Sequence, residues 1–317
     1  MTALSPAWLN KASQFLIVVA VLVECLIFAA LSPSFLTIEN FLNVALQIAI
    51  YGVLAVGMTL VIITGGIDLS VGSIVALAGV VAASLMEQMS GQVSLGIAVA
   101  IGAGILIGLA SGGISGLMVT RLRVPPFIVT LALMTIARGV AFIWTGGFSI
   151  GNLPLGFGFL GRGHLGPLPV PVVIMAAVFI GGYLLLSKSQ YGRYIYAIGG
   201  NEEASRLSGI DTRRVVQHVY LLNGGLAGLA GITLASRLGA GVPNSGLQYE
   251  LDVIAAVVVG GTSLMGGIGS ISGTFWGTVF IGILNNGLNL ANVDPYTQKV
   301  ALGAVILLAV LLDRIKK

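Results

Sequence analysis

Charge is what this sequence has least of. Asp, Glu, Lys and Arg make up 8% of 317 residues against 56% hydrophobic, and a mean hydropathy of +1.03 excludes a water-soluble globular domain. Cysteine is nearly absent: the single Cys25 excludes an intrachain disulfide and any multi-cysteine metal site, and leaves a packing role. His164 and His218 are the two histidines, neither with a neighbour at ligand spacing, so no metal site is expected. No G-x-x-x-x-G-K-[ST] stretch occurs, so the chain carries no loop of the usual kind for cradling ATP phosphates. No polar segment is long enough for a soluble domain; the longest are 188–214 and a Gly- and Pro-rich stretch over 146–169. A single membrane domain over 1–317 is expected. No nucleophile, base and orienting group occur together, which disfavours an enzyme.

What the sequence has is apolar length. About ten hydrophobic runs, over 14–31, 43–64, 68–86, 93–119, 126–145, 170–187, 215–236, 251–263, 270–291 and 298–312, each approach the ~30 Å of a bilayer core as helices, the eighth being short. The expected fold is all-α: a polytopic membrane protein of about ten transmembrane helices, some broken, containing an internal repeat. The first run follows Lys11 without an A-x-A-like cleavage site, so it reads as a retained anchor.

With the N-terminus inside, ten crossings put Lys11, Arg121, Arg123, Lys188, Arg193, Arg206, Arg213, Arg214, Arg314, Lys316 and Lys317 on the inner side. Arg162, Arg237 and Lys299 fall outside or near the outer boundary, and Arg138 lies within a run. This bias places both termini in the cytoplasm and accounts for the net charge of +4 without nucleic acid.

The repeat is short: Gly65-Gly66-Ile67 with Gly72 matches Gly266-Gly267-Ile268 with Gly273. Paired glycines between apolar runs interrupt a helix and free backbone groups that need partners within protein or a wet cavity, so Gly65, Gly66, Gly266 and Gly267 are the expected helix breaks. Gly102-Ala103-Gly104, Gly108, Ser111-Gly112-Gly113 and Gly116 should let neighbouring helices approach closely.

Between Lys188 and Arg214 lies a charged island. A short helix is expected within it, capped by Asn201, with Glu202 and Glu203 in its first turn and Gly209 closing it. Its apolar side is Ala204, Leu207 and Ile210. Polar residues inside apolar runs are the other candidates. Asp68 is either a cap for the following helix, with Ser70 competing, or a group lining a pathway; Gly269 stands at its place in the second copy. Asn285, Asn286 and Asn289 suit either interhelical hydrogen bonds or a route for an uncharged polyhydroxylated cargo. Glu24 and Arg138 are the deepest ionisable residues and could pair. Acids are too scarce in the runs for an ion-coupled carrier.

Several segments together resemble the permease subunit of ATP-binding-cassette importers of the simple-sugar branch, the ribose, xylose, galactose and allose type, ribose members most closely. They are Ala55-Val56-Gly57-Met58-Thr59-Leu60-Val61, Gly66-Ile67-Asp68-Leu69-Ser70-Val71-Gly72-Ser73, and Gly192-Arg193-Tyr194-Ile195-Tyr196-Ala197-Ile198-Gly199-Gly200-Asn201-Glu202. To these add Tyr249-Glu250-Leu251-Asp252, Ile254-Ala255-Ala256-Val257-Val258, Gly260-Gly261-Thr262-Ser263 and Leu284-Asn285-Asn286-Gly287-Leu288-Asn289. Glu203-Ala204-Ser205 followed by Gly209 is similar to the E-A-A-x-x-x-G loop with which such permeases dock on their ATPase. The resemblance implies that Asn201, Glu202, Glu203, Ala204, Arg206, Leu207 and Gly209 form the coupling segment. It also implies a second permease copy, a cytoplasmic ATPase holding ATP and Mg, a soluble extracytoplasmic sugar-binding protein and a bacterial inner membrane with its lipid. Glu250 and Asp252, or the 146–169 loop, are the expected receiving surface for that protein. The alternatives are a branched-chain amino-acid permease of the same kind, or a facilitator independent of ATP.

Overall fold

The computed structural model describes residues 7–315. Thirteen α-helices follow in order among them: α1 (Ala7–Leu31), α2 (Ile38–Ile63), α3 (Val71–Gln88), α4 (Val93–Thr120), α5 (Pro126–Thr145), α6 (Phe159–Arg162), α7 (Val170–Tyr183), α8 (Gln190–Gly200), α9 (Glu202–Leu207), α10 (Thr212–Leu238), α11 (Tyr249–Val259), α12 (Ile271–Leu290) and α13 (Pro295–Ile315). A π-helical turn over Leu184–Lys188 prolongs α7, and β1 (His164–Leu165) pairs antiparallel with β2 (Leu168–Pro169). Each of the ten apolar runs contains a helix. Six helical stretches, Ile38–Ile63, Val71–Gln88, Ser90–Thr120, Pro126–Thr145, Val170–Lys188 and Thr212–Leu238, are long and apolar enough to cross a membrane. The eighth run is shorter than expected: α11 has 11 residues, about 16 Å at ~1.5 Å per residue, half a crossing. Lys316 and Lys317, and the side chains of Lys11 and Arg314, lie outside what is described.

Side-chain caps set several of these starts. Thr37 accepts from the Asn40 N–H at 3.3 Å ahead of α2, Asp211 from the Arg214 N–H at 3.1 Å ahead of α10, and Ser270 from the Gly273 N–H at 3.0 Å ahead of α12. The most buried helix is α2, with Leu54, Ala55, Met58, Val61, Ile62 and Ile63 all within 0% exposure, and α7, α10, α11 and α12 surround it.

Glycine contacts give the directions. Gly104, Gly108, Gly112 and Gly116 of α4 meet Ile232, Gly224, Tyr220 and Gln217 of α10 in descending order, so these two helices are antiparallel. In contrast, Asp68 meets Asn223 while Val75 and Gly79 meet Gly231, so α3 rises beside α10 in the same direction. We call the side bearing α8 and α9 the near face and the other the far face. Of the small residues read from the sequence, Gly104, Gly108, Gly112 and Gly116 lie in this seam, while Gly102 faces open space. A Cβ on Gly108 would overlap the Gly224 carbonyl oxygen, and one on Gly224 the Gly108 carbonyl oxygen. Gly108→Ala is accordingly expected to cost roughly 1–3 kcal/mol through forced separation of the helices, and Gly102→Ala almost nothing. Thermal melting of the detergent-solubilised protein, followed by size exclusion, measures the difference; equal melting of the two variants would refute the seam.

Candidate functional site

The near face is organised by α8 and α9. Ser189 caps α8 by accepting from the Gly192 N–H at 3.1 Å. Asn201 leaves helical geometry at φ −164° and its Oδ1 accepts from the Ala204 N–H at 2.9 Å, as a cap for α9 should. The helix stops at Leu207 with Gly209 at φ +85°, where the Ile210 N–H reaches the Ser205 carbonyl at 3.1 Å. Glu203 and Arg206 pair one turn apart, Arg206 Nε donating to Glu203 Oε2 at 3.1 Å. That hydrogen bond holds the Glu203 carboxyl below its ordinary value and raises Arg206. A depressed carboxyl stays ionised at neutral pH and loses its partner only as pH falls through the lowered value, so the rim charges of α9 are constant near neutrality. Ala204 is exposed and Leu207 is 75% exposed, so an apolar edge stands uncovered beside those charges, while Ile210 turns towards the core.

The start of α9 is tied to the bundle in two directions. Glu202 Oε1 accepts from the Thr212 hydroxyl of α10 at 3.2 Å. Upstream, the last residues of α8 rest on both glycine turns. Gly65, Gly266 and Gly267 have φ of +81°, +84° and +74°, which only glycine adopts without strain; Gly66 does not need its freedom but abuts the Tyr220 hydroxyl. The Gly267 N–H donates to the Ile63 carbonyl at 2.9 Å, joining the two turns, and Gly199 fits against the same carbonyl with no room for a Cβ. Tyr196 of α8 donates to the Gly269 carbonyl at 2.7 Å. Sequence reading missed Tyr196 and Gly199, although the small pair Gly199-Gly200 ahead of a cap was a visible signal of close approach.

Asp68 is fully buried between the first turn and α3. Its Oδ1 accepts from the Ser70 N–H at 2.8 Å and the Ser70 hydroxyl at 2.5 Å, and its Oδ2 from Asn223 of α10 at 2.8 Å. Ser70 therefore stands at the cap position without a side-chain cap bond, and Asp68 secures the chain two residues earlier while bridging to α10. Asn223 gave no sequence signal. Beside this cluster a cavity of about 760 Å³ opens on the near face, lined by Gly65, Gly66, Arg123, Glu202, Arg213 and Tyr220 among others.

The asparagines divide. Asn286 exchanges two hydrogen bonds with Asn40 of α2, at 3.0 and 2.9 Å, so it holds helices together; Asn285 is half-buried and Asn289 exposed. Glu24 and Arg138 do not pair. Arg138 donates to the carbonyls of Pro243 and Ser245 at 2.8 and 2.7 Å, and both Glu24 oxygens are buried without a hydrogen-bond partner. Glu250 and Asp252 are half-buried, and Glu250 Oε2 lies against Gly72, the second residue of α3. His218 Nδ1 meets the Tyr191 hydroxyl at 2.7 Å, and His164 lies in β1.

A bundle of long apolar helices with interrupted hairpins and an uncovered capped helix on one face is the architecture of a polytopic membrane protein. Residues 40–310 match the family described as "Branched-chain amino acid transport system / permease component", and the chain belongs to it. It is similar to the ribose import permease protein RbsC of Escherichia coli K12, 46% identical over 98% of this chain and 96% of that one. RbsC of Bacillus subtilis 168 is 47% identical over 92% and 89%, and the L-arabinose transport system permease protein AraH of E. coli K12 41% over 95% and 90%. No solved structure matches the chain. The expected resemblance to importer permeases thus holds, and the chain is a transport component, not an enzyme.

The Asn40–Asn286 pair yields a direct test. Asn286→Leu leaves the Asn40 amide short of a partner and is expected to destabilise the solubilised protein by roughly 1–2 kcal/mol, with Asn40→Leu/Asn286→Leu recovering part of it. Strictly additive losses in a double-mutant cycle would show that the two amides do not interact.

Proposed function

We propose that the chain is the membrane-spanning permease of an ATP-binding-cassette importer that translocates a monosaccharide, ribose or a similar pentose or hexose. A soluble extracytoplasmic binding protein delivers the sugar, and a cytoplasmic ATPase subunit holding ATP and Mg drives the gate. Two copies of the permease pair in the bacterial inner membrane, surrounded by its lipid, with the near face and both termini in the cytoplasm. Full-length similarity to ribose and arabinose permeases supports the cargo class.

The observation that carries the mechanism is α9, uncovered on its apolar edge and tied at its start to α10 through Glu202 and to both glycine turns through α8. Ala204 and Leu207 enter a groove on the ATPase, Asn201, Glu202, Glu203 and Arg206 form the rim, and Gly209 turns the chain into α10. ATPase closure displaces α9, and with it the α8 end that rests on both glycine turns and the α10 start below Asn223. ATP binding biases the gate by the difference in these contacts between two states. Of the pathway candidates, Asp68, Ser70 and Asn286 are held by partners within the chain, which leaves Asn285 and Asn289 for cargo. The amino-acid reading has the family description in its favour, and competition of sugar uptake by leucine or isoleucine separates the two.

Leu207→Asp buries a charge in the proposed groove and is expected to reduce co-purifying ATPase and ATP-driven uptake roughly tenfold while the permease still inserts. Full retention of the ATPase and of coupled uptake would refute the coupling role of α9.

A further inference from the structure

A second polar centre lies away from α9, at mid-depth. Tyr51 stands in the middle of α2, and Tyr249, Glu250 and Asp252 form the first turn of α11. Two rulers agree on the depth. One is the position of Tyr51 halfway along α2. The other is Glu250, packed on Gly72 at the start of α3, which Asp68 ties to Asn223 near the middle of α10. The rings of Tyr51 and Tyr249 are 4.5 Å apart and inclined at 47°. The Tyr51 hydroxyl lies within hydrogen-bond reach of Tyr249 and Asp252, and Asp252 also feels the charge of Lys299 on α13. Ahead of α11 the chain over 239–248 is irregular: Gly241 pairs with Ile150 of the far loop, and by Gly246 the backbone has descended to Gly72. Arg138 of α5 holds that descent through Pro243 and Ser245, and its charge acts on Glu250.

Tyr51, Tyr249, Glu250 and Asp252 are each only partly buried by this chain. Lipid is an unacceptable neighbour for their open side, because ionisable side chains at bilayer depth face a bundle interior or a water-filled cavity. Irregular backbone at that depth obeys the same rule, and interrupted helices starting at the midplane are where transporters hold cargo. The open side therefore faces the aqueous route. Its chemistry is selective. Two inclined phenol rings offer flat apolar faces to sugar C–H groups, and two carboxylates accept from hydroxyls. Arg138 Nη1 is committed to backbone carbonyls and the charge of Lys299 is opposed by Asp252, so a carboxylate on the cargo would be disfavoured by Glu250 and Asp252.

We propose that Tyr51, Tyr249, Glu250 and Asp252 form the site where the permease itself contacts the hydroxyls of a neutral polyhydroxylated cargo. The proposal rests on the importer reading above and names its membrane contact residues. The test reconstitutes the permease with its ATPase and binding protein in proteoliposomes and measures ATP-driven uptake of ribose and each monodeoxyribose. Wild type is compared with Asp252→Asn and Tyr249→Phe. The binding protein is the same throughout, so its own preference cancels in the comparison. Loss of a hydrogen bond to a charged partner predicts roughly tenfold slower ribose uptake in Asp252→Asn at limiting sugar. One deoxy sugar should be penalised in wild type and not in that variant, a coupling that a purely structural defect would not produce. Unchanged deoxy penalties in both variants would overturn the site while leaving the importer reading intact. If wild type hydrolyses ATP but takes up no sugar of the set, the sugar reading fails and the site with it. Tyr249→Phe preserves shape and decides the matter if Asp252→Asn does not assemble.

Discussion

The hydrogen bond from the Gly267 N–H to the Ile63 carbonyl, 2.9 Å long, joins two hairpins that are far apart in sequence. An interrupted helix at the membrane leaves donors and acceptors that lipid cannot serve, at several kcal/mol each. Here the α2–α3 and α11–α12 turns serve one another, and the arrangement makes a small backbone platform onto which Gly199 fits without a side chain. The end of α8 therefore touches both hairpins at once. Nothing flexible intervenes, since Tyr196 adds a bond to the Gly269 carbonyl from the same helix.

Elsewhere the bundle is built for rigidity. The α4–α10 seam brings backbones together at Gly108 and Gly224, and close-packed seams transmit displacement instead of absorbing it. Helix α10 is shared between that seam and the near-face machinery, because its first turn bonds Glu202 and its middle bonds Asp68. A six-residue helix is thus mechanically connected in two directions, to the glycine platform through α8 and to the mid-depth polar cluster through α10.

Helices and caps were legible in the sequence because apolar length and local hydrogen bonding are local properties. Asn201, Gly209 and the paired glycines were read in place for that reason. Helix α8 was not separated from the charged island, since Arg193 and its tyrosines dilute the apolar signal that marks a span. Partners were illegible wherever they came from afar: Asn223 for Asp68 and Asn40 for Asn286 lie 155 and 246 residues away. The packing of Glu250 against Gly72 was illegible too, because charge beside an apolar run ordinarily marks a membrane boundary. That rule fails when an irregular segment carries the chain back to mid-depth before the helix begins, as 239–248 does.

The two polar regions of the interior end close to one another. The near-face cavity reaches Gly66 and Tyr220, next to the Asp68–Asn223 bridge, and the Tyr51 cluster ends at Glu250 against Gly72. Asp68 and Gly72 are four residues apart, with the chain non-helical up to Ser70 and α3 beginning at Val71. Between the two regions stand the Asp68–Asn223 bridge, the Glu250–Gly72 contact and the buried apolar side chains of Val71, Ile74 and Val75. On the importer reading proposed above, a gate here would open by relative displacement of α3 and α10 against α11. Helix α9 is attached to α10 through Glu202 and to both glycine turns through α8, so displacement of a six-residue helix on the near face would reach the boundary between the two polar regions.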